Sequence, residues 1–211
     1  MVTKAEEAIS SFELDALKET ANIGTGHATI ALSALMNRKV NITIPNTTLV
    51  SVHEVGGKIT SANEAVVGIY SKMRQGIAGN IVIILPTSCA YRLIDFINKK
   101  AEGEQKKDIL NKEDIATLKK LGSLLYSAYL TALANFFEQN IVFQKPNIVS
   151  TFGDSIVDFI LVQIGEQEKV LLISINFDVE GTDIKGDFVL LFTLTSLSPL
   201  LENLKKKMGM A

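Results

Sequence analysis

A helical pattern near the start of the chain contains the sequence Leu14-Asp15-Ala16-Leu17-Lys18-Glu19-Thr20-Ala21-Asn22-Ile23-Gly24-Thr25-Gly26. The same frame returns 101 positions later, where Ala116 stands in the place of Asp15. In both copies a Pro-Asn pair follows at the same distance, as Pro45-Asn46 and as Pro146-Asn147. We therefore interpret the chain as an internal duplication in which only the first copy keeps its polar residues.

The correspondence continues toward the end of each copy. Ile77-Ala78-Gly79-Asn80 corresponds to Ile184-Lys185-Gly186-Asp187, and both lead through an apolar strand pattern into a final helix. The very polar segment 101–107 is predicted to link the two copies, about 10–100 and 108–211, within a single domain of residues 1–211. Strands mixed with long helices, without regular alternation, favour α+β over a doubly wound parallel sheet. The predicted fold is a pseudo-twofold symmetric α+β protein with a largely antiparallel sheet and two long motif-bearing helices.

Periodicity and turn residues predict the individual elements. Ser10, with Glu13 three residues later, resembles a capping box at the start of the first long helix. Helices are predicted at about 12–36, 90–100 and 112–138 and at the end of the chain. Strands are predicted near 40–44, 49–55, 65–74, 77–85, 141–144, 155–165, 169–178 and 188–194. The strands of the first copy are expected to form antiparallel hairpins.

Composition excludes several functional classes. The 21 basic and 23 acidic residues nearly balance and form no basic stripe with interleaved aromatics, so nucleic acid is not an expected partner. Cys89 is the only cysteine, which excludes an internal disulfide and makes a zinc cluster a poor expectation. Apolar stretches are about strand length and residues 1–7 do not resemble a signal peptide. We expect a cytoplasmic protein with no membrane insertion.

The first long helix carries the candidate chemistry. Asp15, Glu19 and Asn22 are spaced i, i+4, i+7 and so share one helix face. A carboxylate there can hold a cationic group of a partner, while a carboxamide can donate to and accept from a water molecule. The alternative is that acids early in a helix serve solubility and the helix dipole. Spacing alone favours this alternative.

The same residues resemble a known family. The string 14–29, with Ala31-Leu32-Ser33 and Asn37-Arg38-Lys39-Val40, resembles the CheC family of chemotaxis phosphatases, which includes the CheX and FliY types. The family motif is Asp or Ser, three residues, Glu, two residues, Asn, a 22-residue spacer and Pro. Every term is satisfied, by Asp15, Glu19, Asn22 and Pro45. The resemblance covers nearly the whole chain and reverses the preference for a purely structural role.

The resemblance implies an enzyme that hydrolyses the aspartyl phosphate of the response regulator CheY in two-component signalling. Asn22 would orient the attacking water, Glu19 would dock on a lysine of CheY, and Asp15 and Pro45 would contribute to docking. Separate residues for orienting water and for docking suit phosphoryl transfer, because positioning and charge compensation carry most of its catalysis. No cofactor or metal is expected on this chain, and Mg²⁺ is expected on the response regulator.

The second copy departs from the motif at each polar position. It has Ala116, Lys120 and Ser123 and keeps only Pro146. Lys120 would place a positive charge where the partner also presents one, which is repulsive. We expect a degenerate second site.

Two further questions stay open from the sequence. The alternative function is a non-catalytic binding module for phosphorylated CheY or for the receptor deamidase CheD, which is also a plausible additional partner. An amide at the offset of Asn22 from Glu19 favours the enzyme, because a pure binder has no need for it.

Gly24 and Gly26 are interpreted as sites of close approach to a neighbour or the partner, rather than as a phosphate cradle.

Overall fold

The computed structural model describes residues 9–43, 46–59, 63–99, 109–165 and 169–207. Pro45 and the predicted linker 101–107 lie outside the described residues. The helices are α1 (Ser11–Met36), α2 (Gly56–Ile59), α3 (Thr87–Ile97), α4 (Lys112–Phe137), α5 (Gly153–Ile164) and α6 (Leu194–Lys207), with a 3₁₀ turn at Val52–Glu54. The strands are β1 (Val40–Ile42), β2 (Asn46–Ser51), β3 (Ala65–Gln75), β4 (Gly79–Pro86), β5 (Val142–Phe143), β6 (Asn147–Phe152), β7 (Lys169–Val179) and β8 (Lys185–Thr193).

The two long helices, α1 and α4, begin with the same kind of cap. The Ser10 hydroxyl accepts a hydrogen bond from the backbone N–H of Glu13, and the Glu13 carboxylate accepts one from the backbone N–H of Ser10 at 2.8 Å. Asn111 and Asp114 make the equivalent pair before α4. The predicted capping box at Ser10 is confirmed. Each cap satisfies backbone donors that a helix start otherwise leaves unpaired.

Every strand pairing among the described residues is antiparallel. Across the sheet the order is β1, β7, β8, β4, β3, β5, with β2 also paired to β7 and β6 also paired to β3. Strands that precede the 101–107 segment therefore pair with strands that follow it at three places in the sheet: β1 and β2 with β7, β4 with β8, and β3 with β5 and β6. The α+β class with an antiparallel sheet is confirmed, and the sheet interleaves the two parts of the chain.

Both faces of the sheet are covered by helices. Val67 and Ile69 of β3 face one apolar cluster, while Val66 and Tyr70 face another, because side chains alternate along a strand. The first cluster includes residues of α1, α3, α4 and α6, and the second includes residues of α2 and α5. The sheet thus gives the two long helices a rigid apolar support on one side.

Two predicted strands were wrong, and one strand was not predicted. Segment 155–165 forms most of the helix α5 rather than a strand, although it is rich in β-branched residues. Its buried residues Ile156, Ile160 and Ile164 recur every four positions, so packing against the sheet overrides the local strand preference. The strand β6 just before it was missed. The predicted strand 49–55 ends at Ser51, and it pairs with β7 instead of forming a hairpin with its neighbour in sequence.

Candidate functional site

The exposed face of α1 carries the three polar residues singled out from the sequence. Asp15, Glu19 and Asn22 are all exposed. The opposite side of the helix is buried, with Leu17 and Ala21 in the main apolar cluster. The structure therefore brings the three polar side chains onto one solvent-facing surface, which we call the motif face. Pro45, the fourth predicted site residue, lies outside the described residues.

The side chains of the motif face differ in their contacts. Lys18 Nζ lies 3.3 Å from Asp15 Oδ1, and the Asp15 side chain is 74% exposed, so this ion pair holds the carboxylate only weakly. Among the described residues, neither Glu19 nor Asn22 has a side-chain hydrogen bond or ion pair. Their carboxylate and carboxamide groups are thus available to a partner without breaking an internal contact.

Close packing against α4 fixes the position of α1, the helix that carries the motif face. An ideal Cβ on Gly24 would lie 2.9 Å from Tyr129 Cε2, so the Tyr129 ring occupies the space that a side chain would take. Further along, Ala28 and Leu125 line the same small apolar pocket. Residue numbers rise along α1 from Gly24 to Ala28 while they fall along α4 from Tyr129 to Leu125, so the two helices run antiparallel. The predicted role of Gly24 in close approach to a neighbour is confirmed.

Gly26 has a different environment. It is exposed, and an ideal Cβ there would have no atom within 4 Å. A glycine in an exposed helix interior costs about 1 kcal/mol relative to alanine. Nothing in the packing of the described residues requires this glycine.

Sequence reasoning missed two apolar residues of the same surface. Ile23 is 43% exposed and Ile30 is 70% exposed. Ile23 follows Asn22 directly and Ile30 lies eight residues beyond it, so at about 100° per residue the two isoleucines are about 20° apart, on the side of the helix that carries Glu19. The available signal was an isoleucine falling outside the buried stripe of an otherwise amphipathic helix.

The equivalent face of α4 presents different groups. Ala116 and Lys120 are exposed and Ser123 is half-buried. Pro146 is buried beside this helix, because an ideal Cβ on Gly122 would lie 3.4 Å from Pro146 Cγ. The α4 face therefore has a lysine where the motif face has a carboxylate, and it has a partly covered hydroxyl where the motif face has an exposed amide.

The N-terminal end of α1 is tied to the last helix by a partly buried ion pair. Lys205 Nζ of α6 lies 3.2 Å from Glu13 Oε1, and the Glu13 side chain is only 9% exposed. Burial by itself would raise the pKa of Glu13, but hydrogen bonds from Ser10 and the nearby Lys205 ammonium together lower it below its usual value. The folded protein therefore favours the carboxylate form of Glu13, which lies two residues before Asp15 in the sequence.

The described ranges, 9–43, 46–59, 63–99, 109–165 and 169–207, contain neither a metal-ligand cluster nor a membrane-spanning helix. There, no group of three or more His, Cys, Asp and Glu side chains could hold a metal ion. None of the helices within these ranges is both long and apolar enough to cross a membrane.

Known sequences similar to this chain are of the CheC type. Residues 12–49, which include the motif face, match the model of the CheC-like family. The CheY-P phosphatase CheC of Bacillus subtilis is 28% identical over 190 residues, covering 87% of this chain and 89% of that protein. The predicted resemblance to CheC-type proteins is thus supported by a family model over the motif helix and by a relative over most of the chain. The match to the B. subtilis relative extends well beyond the motif helix, so the similarity covers most of the chain.

Solved structures of the same fold come from several different proteins. Thermotoga maritima FliY aligns with a TM-score of 0.70 at 18% identity, covering 98% of this chain and 100% of that one. A chain of the FliG–FliM complex of H. pylori aligns with a TM-score of 0.66 at 14% identity, covering 92% of this chain and 100% of that one. A chain of the CheX–CheY–BeF₃–Mg²⁺ complex of Borrelia burgdorferi aligns at 0.56 and 13% identity, covering 81% and 95%. These likenesses establish the CheC-like fold.

Proposed function

We propose that this CheC-like protein is a phosphatase that hydrolyses the aspartyl phosphate of the response regulator CheY. The observation that carries the proposal is the exposed pair on α1, Glu19 and Asn22, which has no side-chain partner among the described residues. The B. subtilis relative is named a CheY-P phosphatase, which supports the same substrate. The CheX–CheY complex supports a CheY-type partner for this fold.

In the proposed reaction, Asn22 orients a water molecule for in-line attack on the phosphorus atom. The amide oxygen accepts a hydrogen bond from the water and the amide N–H can donate to the phosphoryl group. Attack forms a bond from the water oxygen to phosphorus and breaks the bond from phosphorus to the aspartyl oxygen. The products are a free carboxylate and inorganic phosphate, with the proton of water passing to phosphate or solvent. An amide suffices because orientation, rather than proton removal, is its contribution.

Glu19 has the docking role in this proposal. Its carboxylate lies one helical turn before Asn22 and would pair with a lysine beside the phosphoaspartate of CheY. Asp15, a further turn away, would exchange its weak contact with Lys18 for a contact with CheY. Pro45 is proposed to contribute to the same docking surface. Mg²⁺ would remain with the response regulator, where it neutralises charge on the phosphoryl group.

The α4 face is proposed to be inactive toward CheY. Lys120 would repel the lysine that Glu19 attracts, and Ser123 is shorter than an amide and half-buried. The internal duplication, the linker 101–107 and the cytoplasmic location stay predictions of the sequence.

The alternative proposal is a binding module that captures phosphorylated CheY, or CheD, without hydrolysis. The likeness to FliM is compatible with this alternative, since the same fold there occurs in a complex with FliG. The two proposals differ in the role of Asn22, because a binder would retain its affinity without needing a water-orienting amide.

The decay of ³²P-labelled CheY from the same organism tests the proposal. Wild-type protein should accelerate loss of the label, and Asn22→Ala should reduce that acceleration by about 100-fold or more. The matched variant Ser123→Ala on α4 should behave as wild type. The double substitution Lys120→Glu/Ser123→Asn should raise the activity by equipping the second face. An unchanged CheY decay rate with wild-type protein, despite binding, would favour the binding module.

A further inference from the structure

The motif face continues along α1 beyond Asn22 in a strip formed by Ile23, Gly26 and Ile30, which we call the apolar strip. All three residues are exposed, and Ile30 is 70% exposed. At about 100° per residue, Gly26 and Ile30 lie about 40° and about 80° around the helix from Asn22, on the side that also carries Glu19. The apolar strip is thus continuous with the pair of polar groups.

The fold itself provides no reason for the glycine in the centre of the strip. At Gly26 a side chain would enter open space, whereas at Gly24 it would meet the Tyr129 ring. The backbone at Gly26 is ordinary helix, and it is not among the described glycines with positive φ. A helix-interior glycine is destabilising, so its cost is balanced by nothing inside the described molecule.

The isoleucines beside it are also unexplained by folding. Ile23 and Ile30 leave much of their apolar surface in water, and β-branched residues are not favoured in helices. Two exposed isoleucines flanking an open glycine present a shallow apolar surface next to the polar pair. Apolar side chains grouped beside polar groups are compatible with a contact region for another protein.

The position of the strip determines which partner would cover it. At a rise of 1.5 Å per residue, Gly26 lies about 6 Å and Ile30 about 12 Å along the helix from Asn22. A protein–protein interface of ordinary size buries about 800 Å² on each partner. A protein whose phosphoaspartate reaches Asn22 therefore extends over the neighbouring strip as well.

We propose that the apolar strip is the second part of the docking surface for the phosphorylated response regulator. The regulator's backbone approaches α1 most closely over Gly26, and one of its apolar side chains packs against Ile23 and Ile30. This inference rests on the proposed function and assigns binding, rather than chemistry, to the three residues.

The matching positions on α4 lack this arrangement. Ser127 stands in the place of Gly26 and Thr131 in the place of Ile30, and both are exposed. The Thr131 hydroxyl donates to the Ser127 carbonyl, 2.6 Å away, so its polar group is satisfied within the helix. Of the three matching residues, only Leu124, which corresponds to Ile23 in the predicted duplication, has an exposed apolar side chain. The α4 face thus offers matched controls.

Two variants test the strip. Gly26→Leu fills the point of close approach, and Ile30→Asp places a charge on the apolar contact. The measurements are the Kd for beryllofluoride-activated CheY with Mg²⁺, from the same organism, and kcat and KM for hydrolysis of phosphorylated CheY. Each variant should raise Kd about tenfold or more, as loss of a buried apolar contact predicts. KM should rise with Kd, while kcat changes much less.

The controls separate docking from folding. Ser127→Leu and Thr131→Asp on α4 should leave Kd unchanged. Gly26→Leu should melt no lower than wild type, because leucine favours helix and the site is open. If both strip variants bind activated CheY as wild type does while Asn22→Ala still abolishes hydrolysis, the strip proposal is overturned and the proposed function stands. If wild-type protein neither binds activated CheY nor accelerates its decay, both are overturned.

Discussion

Two glycines of α1, only two residues apart, should respond oppositely to the same substitution. Replacing either glycine by alanine removes the same intrinsic cost, so each variant gains about 1 kcal/mol from helix propensity. At Gly26 the new methyl group meets nothing within 4 Å, and the full gain should appear as stability. At Gly24 the methyl group would lie 2.9–3.1 Å from three atoms of the buried Tyr129 ring. Overpacking of this kind costs about 1–3 kcal/mol, so Gly24→Ala should be neutral or destabilised by up to about 2 kcal/mol.

Urea denaturation of both variants measures this difference in the free energy of unfolding. The two variants should differ by about 1–3 kcal/mol, which is the overpacking cost alone. In a Tyr129→Leu background the ring is gone, so Gly24→Ala should become as favourable as Gly26→Ala. If Gly24→Ala stabilises the otherwise unchanged protein as much as Gly26→Ala does, α1 and α4 do not pack as described.

Two further predictions concern buried polar groups. Glu13→Gln should lower the free energy of unfolding at pH 7 by about 1 kcal/mol, because it removes the charge that interacts with Lys205 and with the helix start. The pKa of Glu13 is lowered from 4.5, so its contribution is present above that value and disappears as the pH falls through the lowered pKa. Urea denaturation at pH 7 and at a pH below the lowered pKa should show that the difference in the free energy of unfolding between Glu13→Gln and wild type shrinks at the lower pH. A difference that stays constant would contradict this. Tyr129→Phe should raise the free energy of unfolding by about 1 kcal/mol, because the buried hydroxyl has no hydrogen-bond partner among the described residues. A clear loss of stability of Tyr129→Phe in thermal or chemical unfolding would show instead that the Tyr129 hydroxyl makes a hydrogen bond in the folded protein.

Features that depend on local sequence could be predicted well. The long helices α1 and α4 follow from helical spacing of apolar residues, and Ser10 with Glu13 marks where α1 begins. The shared face of Asp15, Glu19 and Asn22 follows from the same periodicity, and the structure places all three in solvent. These properties need only the few residues on either side of each position.

Features that depend on distant parts of the chain were harder to predict. Segment 155–165 contains many β-branched residues, and only the sheet beneath it determines that α5 is a helix. The pairing of β2 with β7 joins residues more than a hundred positions apart, so no local turn signal specifies it. The fit of the Tyr129 ring over Gly24 likewise depends on how two distant helices cross. The absence of a packing role for Gly26 could be recognised only from the open space around it in the structure.

The most direct test of the proposed mechanism compares binding with hydrolysis in a single variant, Asn22→Ala. Binding is measured with beryllofluoride-activated CheY and Mg²⁺, and hydrolysis with phosphorylated CheY, both from the same organism. A water-orienting role predicts that Asn22→Ala keeps near wild-type affinity and loses hydrolysis by about 100-fold or more. Full hydrolysis by Asn22→Ala would contradict the assignment of this residue.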